Sequence, residues 1–271
     1  MTAKIAKSRI CVLGNSHLGA LKLGWDLIEG SYPGTELTFF GAPRSMMQDL
    51  VLEGTRLVPR TDKLTAKIRR SSGGLEAVEI EDYDAFILYG LQFGPRRLIQ
   101  LYRTHRPISF EWREPLPELT PMEARPDQVQ TVPERLFERA ILTGLRQTMA
   151  MNLIAQIRSA TGRPVHLITA PGFNEKAMDT GDWDGMLGGG DLERLGQRFR
   201  RMAGKACPPD VELYFPADHL VVHGVFTPRA HGVGETQAGR TDYVHTDPEY
   251  GAAMLRQVLD TAGVQRPANA A

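Results

Sequence analysis

The stretch ICVLGNSHLGALKLGW, residues 10–25, passes from an apolar run through closely spaced glycines into a segment of helical period. Arg9 to Leu13 reads as a buried strand. Leu18, Leu21, Trp25 and Ile28 then fall near helical spacing, and Gly30 with Pro33 supplies a stop. Strand, tight turn and helix in that order are the opening unit of an α/β protein. The turn, Gly14-Asn15-Ser16-His17-Leu18-Gly19, differs by one residue from the G-x-G-x-x-G that holds a dinucleotide. Ser16 stands where the second glycine would let the backbone approach a pyrophosphate, and the second apolar run closes as TFFGAP without an acid for the ribose. No Gly-Lys-Ser/Thr follows, so a phosphate loop fails as well. A serine at this turn has a different use. Its hydroxyl would be exposed at the carboxyl edge of the sheet, with helix N-terminal N–H groups beside it for a developing oxyanion.

The pattern repeats along the chain. Thr35 to Phe40, Asp84 to Tyr89 and Pro164 to Ala170 read as further strands, and Val211 to Phe215 alternates as a fifth. Helical stretches lie between them, which predicts a three-layer α/β/α sandwich around a central, mostly parallel five-stranded sheet of flavodoxin type. The longest helix is expected from Pro133 to Gly162, burying Leu136, Ile141, Leu145, Met149, Leu153 and Ile157. The last begins in HTDPEYGAAMLRQVLD, where Thr246 and Glu249 have capping-box spacing and Pro248 suits a first turn. Two stretches interrupt the scheme: residues 54–82, expected as a hairpin, and 105–132, rich in Pro, Glu and Arg and carrying Trp112, expected as a lid or substrate loop. Without repeats or a linker, residues 1–271 read as a single domain.

Charge narrows the partners. The chain has 32 Lys plus Arg against 32 Asp plus Glu, so no net positive field favours nucleic acid or an anionic membrane. The Arg pairs 69–70, 96–97 and 200–201 are scattered and read as solvated faces. The first residues lack a secretory pattern, and no apolar run approaches the roughly 18–20 residues of a membrane span, so a soluble cytoplasmic protein is expected. Cys11 and Cys207 read as free thiols. His219, His223 and His231 lie close in sequence, as three zinc ligands would, but no Glu or Cys stands at ligand spacing. They read as loop histidines, and neither a metal nor a cofactor is expected.

A serine hydroxyl is a weak nucleophile and needs a base that a third group orients. TDYVHTDPEYG supplies a pair: Asp242 three residues before His245, just ahead of the last helix. Taken together, these blocks resemble the SGNH/GDSL hydrolases, whose nucleophilic serine follows the first strand and whose Asp-x-x-His precedes the last helix. VLGNSH matches the first block with Asn15 in place of the usual Asp, and FFGAP resembles the second. HLITAP looks like the strand that leads to another active-site loop. DAFILYGLQFGP aligns with the strand and Gly-x-Asn-Asp of the third block, which puts Gln92 where the family has an oxyanion-hole Asn. Gln92 carries the same amide on a stem one methylene longer, and reaches the hole only with a shifted backbone.

The resemblance runs from residue 9 to about 260 and implies a serine esterase with Ser16, His245 and Asp242 as triad. It implies an oxyanion hole of the Ser16 and Gly41 N–H groups and the Gln92 side chain. Two alternatives stand beside the esterase: an acyltransferase using the same triad, or a non-catalytic binding module that has kept the fold without the chemistry. His17 and Trp112 are candidate substrate contacts, and a small-molecule or carbohydrate-linked ester is the expected substrate.

Overall fold

A computed structural model of the chain describes residues 7–108, 130–180, 190–235 and 239–262. The first half runs β1 (Ser8–Gly14), α1 (Leu18–Ile28), β2 (Thr35–Gly41), β3 (Leu50–Glu53), β4 (Arg56–Pro59), α2 (Asp62–Ser71), β5 (Val78–Glu79), β6 (Ala85–Tyr89) and α3 (Arg96–Thr104). There follow β7 (His105–Ile108), β8 (Gln130–Pro133), α4 (Glu134–Arg146), α5 (Met149–Ala160), β9 (Val165–Ile168), α6 (Asp191–Ala206), β10 (Glu212–Tyr214) and α7 (Pro248–Thr261).

Five strands form one parallel sheet in the order β10-β9-β6-β1-β2. Ile10, Cys11, Val12 and Leu13 of β1 are all buried, because a strand covered on both faces has no side to give to water. Ile10, Val12, Ile87 and Tyr89 pack towards α1 and α7, while Cys11, Leu13, Phe86 and Leu88 pack towards α2 to α6. The result is the three-layer α/β/α sandwich. From β1 the strand order runs one way to β2 and the other way to β6. The crevice at the carboxyl ends of β1 and β6 is therefore the switch point where open α/β sheets take their ligands. Gly14 pairs with Gly41 on one side and Tyr89 on the other, so these three strands end level at that crevice.

Helices α1 and α7 approach more closely than side chains allow. A Cβ on Gly251 would lie 2.0 Å from the Ala20 carbonyl oxygen, and one on Gly24 would lie 2.3 Å from the Ala252 nitrogen. Ser16 sits just before α1 and His245 just before α7, so this contact sets the two side chains against each other.

Three local expectations are corrected. The single helix from Pro133 to Gly162 is two, α4 and α5, broken at Gln147 and Thr148. The Thr148 hydroxyl donates to the Leu145 carbonyl at 2.8 Å and takes an acceptor the helix would have used. Of its predicted stripe, Leu136 is 55% exposed and Phe137 is buried instead. The 54–82 excursion holds a helix as well as a hairpin: β3 and β4 pair antiparallel, and α2 follows, capped by the Thr61 hydroxyl, which accepts the Leu64 N–H at 3.2 Å. The cap of α7 is Asp247 rather than Thr246, its carboxylate accepting the Tyr250 N–H at 2.8 Å.

At the base of the 105–132 stretch, β7 and β8 pair in parallel. Trp112 lies outside the described residues. Among the described residues no helix is long and apolar enough to cross a membrane.

Candidate active site

Ser16 is exposed in the turn between β1 and α1. The turn is closed by the Leu18 N–H on the Asn15 carbonyl at 2.9 Å and the Ala20 N–H on the His17 carbonyl at 3.1 Å. The Asn15 side chain accepts the His17 N–H at 3.3 Å, leaving the Ser16 N–H without a partner among the described residues. From the far end of the chain, His245 brings Nε2 to 2.9 Å from Ser16 Oγ and Nδ1 to 2.6 Å from Asp242 Oδ2. An ionised carboxylate only accepts, so Nδ1 carries the proton and Nε2 is free to accept from the serine hydroxyl. The structure thus joins residues 229 positions apart into one hydrogen-bonded line.

Asp242 is fixed more firmly than the spacing alone predicts. Its Oδ1 accepts the N–H groups of Val244 at 2.8 Å and His245 at 3.0 Å. Burial pushes the carboxyl pKa up, but the hydrogen bonds from the His245 ring and from these two N–H groups outweigh it and hold the pKa below its ordinary value. The loop itself is pinned from both sides. The Asp242 N–H donates to the Gly234 carbonyl at 2.8 Å, and the Asn174 N–H donates to the Tyr243 carbonyl at 2.7 Å. Beyond it, both carboxylate oxygens of Asp247 lie 3.1 Å from His231 Nδ1.

The third-block loop is strained. Gly90, Leu91 and Gln92 have φ of 75°, 44° and 66°, three successive left-handed residues of which only the glycine is at ease. A Cβ at Gly90 would lie 2.7 Å from Asn15 Oδ1, so this loop and the serine turn touch directly. Gln92 Oε1 accepts from Arg97 at 3.2 Å, and its amide N–H2 has no partner among the described residues.

Gly41 departs from expectation. Its N–H donates to Ser72 Oγ at 3.2 Å, because β2 is the outer strand of the sheet and Ser72, just beyond α2, closes over that edge. Of the three donors expected from the sequence, the Gly41 N–H is taken by Ser72, while the Ser16 N–H and the Gln92 amide N–H2 have no partner among the described residues.

His17, read as a substrate contact, is instead buried at 4% exposure. Its Nε2 is hydrogen-bonded to Arg96, and its ring centroid lies 5.3 Å from that of His245. Arg96 is accordingly not part of a solvated pair: its guanidinium lies over the Phe173 ring at 5.7 Å. Sequence reasoning missed Arg96, Ser72 and the His231–Asp247 pair. One signal for Arg96 was present, since two arginines in the first turn of α3 sit at the wrong end of the helix dipole. The other histidines face different partners: His223 lies 3.7 Å from Glu175 and 3.8 Å from Glu193, and His219 is exposed. Among the described residues no three His, Cys, Asp or Glu side chains group as a metal site.

No protein-family model matches the chain, and no curated protein matches it significantly. Among solved structures, the periplasmic domain of a lipopolysaccharide acetyltransferase from Salmonella ser. Paratyphi A is similar over 97% of this chain and 85% of its own, with 10% identity and a TM-score of 0.42. The M. smegmatis aryl esterase is similar over 95% of this chain and all 100% of its own, with 10% identity and a TM-score of 0.40. A family two carbohydrate esterase from Clostridium thermocellum, solved in complex with cellohexaose, is similar over 98% and 67%, with 8% identity and a TM-score of 0.38. These are likenesses of fold, and they bring no residue of the site with them.

Proposed function

We propose that the protein is a serine esterase of SGNH type that acts through an acyl-enzyme. The observation that carries this is the line Ser16 Oγ, His245 Nε2, His245 Nδ1, Asp242 Oδ2, with gaps of 2.9 and 2.6 Å, at the switch point of the sheet. Ser16 Oγ attacks an ester carbonyl carbon while its proton passes to His245 Nε2. Asp242 stabilises the imidazolium, and the carbonyl oxygen, now an oxyanion, takes hydrogen bonds from the Ser16 N–H and the Gln92 amide. Collapse of the intermediate breaks the bond to the alcohol, which leaves with the proton from His245. Water then attacks the acyl-enzyme by the same route, releasing the acid and restoring the serine. Each oxyanion donor of this kind is worth about 10²- to 10³-fold in turnover.

Ser16 is exposed, which leaves the acyl-enzyme open to water and favours hydrolysis over transfer to another alcohol. The two fates are separable by product analysis with an added sugar acceptor: the esterase gives free acid whether or not the sugar is present. A small-molecule or carbohydrate-linked O-acyl ester is the proposed substrate class. Treatment with a fluorophosphonate tests the reading, with mass spectrometry expected to find the adduct on Ser16 and none in Ser16→Ala. Folded protein that takes up no label and turns over no ester in a panel would instead be a binding module that keeps the fold without the chemistry.

A further inference from the structure

Two groups beside Ser16 and His245 take no part in the reaction as written, the buried His17 and the half-buried Arg96. Arginine does not release its proton, so in their hydrogen bond Arg96 donates and His17 Nε2 accepts, which puts the His17 proton on Nδ1. Burial, and after it the positive fields of Arg96 and His245, push the His17 pKa well below that of an ordinary imidazole. The ring is therefore held in its neutral form. It lies against the His245 ring at 5.3 Å between centroids, tilted by 43°, and edge-on to Tyr89 at 6.0 Å. Arg96 has no carboxylate within ion-pair distance among the described residues, yet Asp242 acts on it through space. One member of the pair therefore touches the base, and the other lies in the field of the acid that orients it.

We propose that His17, locked by Arg96 in its neutral Nδ1–H form, is a positioning residue that walls one face of the His245 ring; this rests on the esterase reading above. During turnover His245 gains and loses a proton while keeping Nδ1 on Asp242 and Nε2 on Ser16. A half-turn of the ring breaks both contacts. A packed neighbour prevents that turn, and a neutral one does so without repelling the imidazolium. Arg96 secures the neutrality and also fixes the ring plane.

The test uses the full chain, hydrolysis of 4-nitrophenyl acetate, and the rate at which a fluorophosphonate labels Ser16. In His17→Ala, kcat and the labelling rate fall together by about 10- to 100-fold, the scale of an ångström of misplacement, with KM unchanged. His17→Phe keeps the ring and retains more of the rate, which guards against misfolding of the alanine variant. In Arg96→Met, which removes the donor to His17 Nε2, kcat and the labelling rate fall together as in His17→Ala, and Arg96→Lys, which can still donate there, recovers part of the loss. Wild-type protein that is never labelled at Ser16 overturns the esterase reading itself. If the wild type is labelled and the His17 variants react at its rate, or change KM alone as a substrate contact would, the positioning role is overturned. Arg96→Met that is labelled and turns over at the wild-type rate overturns the role given to Arg96.

Discussion

One oxygen of Asp242 is held by two backbone N–H groups and the other by the His245 ring, so the carboxylate has one orientation. In Asp242→Asn the side-chain oxygen keeps the backbone bonds and turns an N–H2 towards His245 Nδ1. The imidazole then takes the other tautomer, with a proton on Nε2, and cannot accept from Ser16. Turnover of 4-nitrophenyl acetate is expected to fall about 10⁴-fold, with the fold retained by circular dichroism. The carboxyl is held below its ordinary 3.8, so its contribution to stability is complete above that value and is lost as the pH falls through the lower folded value. In urea unfolding, the stability gap between wild type and Asp242→Asn should be constant above roughly pH 5 and close on further acidification. A gap independent of pH down to acid unfolding would mean that the carboxylate is not held as described. Ser16, Asp242 and His245 could be singled out in the sequence because residue type, spacing and the family resemblance point to the same three positions, and the structure brings their side chains together. The loss of the Gly41 N–H to Ser72 was not legible there: that bond spans 31 positions and leaves no local pattern.

Among the elements, α1 and α7 do the most to build the site, and Gly24 and Gly251 are what let them meet. A side chain at Gly251 is driven into the Ala20 carbonyl, and the helices must part. Gly251→Leu is expected to cost about 1–3 kcal/mol in urea unfolding, and to lower kcat beyond any loss explained by unfolded protein, because Ser16 and His245 move apart with their helices. A destabilised variant with wild-type kcat would separate the helix contact from the site. The strands of the sheet were readable because buried parallel strands are continuously apolar. The break between α4 and α5 was not readable: Ile141, Leu145, Met149, Leu153 and Ile157 keep the same spacing across it, while one threonine hydroxyl ends the helix. The cap of α7 was misread by one residue for a similar reason, since Thr246 and Asp247 have equally suitable side chains and only burial of Thr246 separates them.

Over the whole molecule, the sheet order places the ends of β1 and β6 on either side of one crevice, and Ser16 meets the Asp242–His245 pair there from opposite ends of the chain. The core that holds this arrangement contains Cys11, fully buried, whose thiol pKa burial raises strongly; that of Cys207 is pushed up to about 11, by burial and then by Asp210. Both thiols should react slowly with an aromatic disulfide reagent at pH 8 and quickly once the protein is unfolded in guanidinium. Rapid reaction of Cys11 in folded protein would contradict the packing of β1 between two helical layers. The proposed chemistry stands on Ser16. The most direct measurement is mass spectrometry of fluorophosphonate-treated protein beside Ser16→Ala. The expected result is a single adduct on Ser16, absent from the variant together with ester turnover; an adduct on any other residue, or turnover that survives in Ser16→Ala, would contradict the proposed nucleophile.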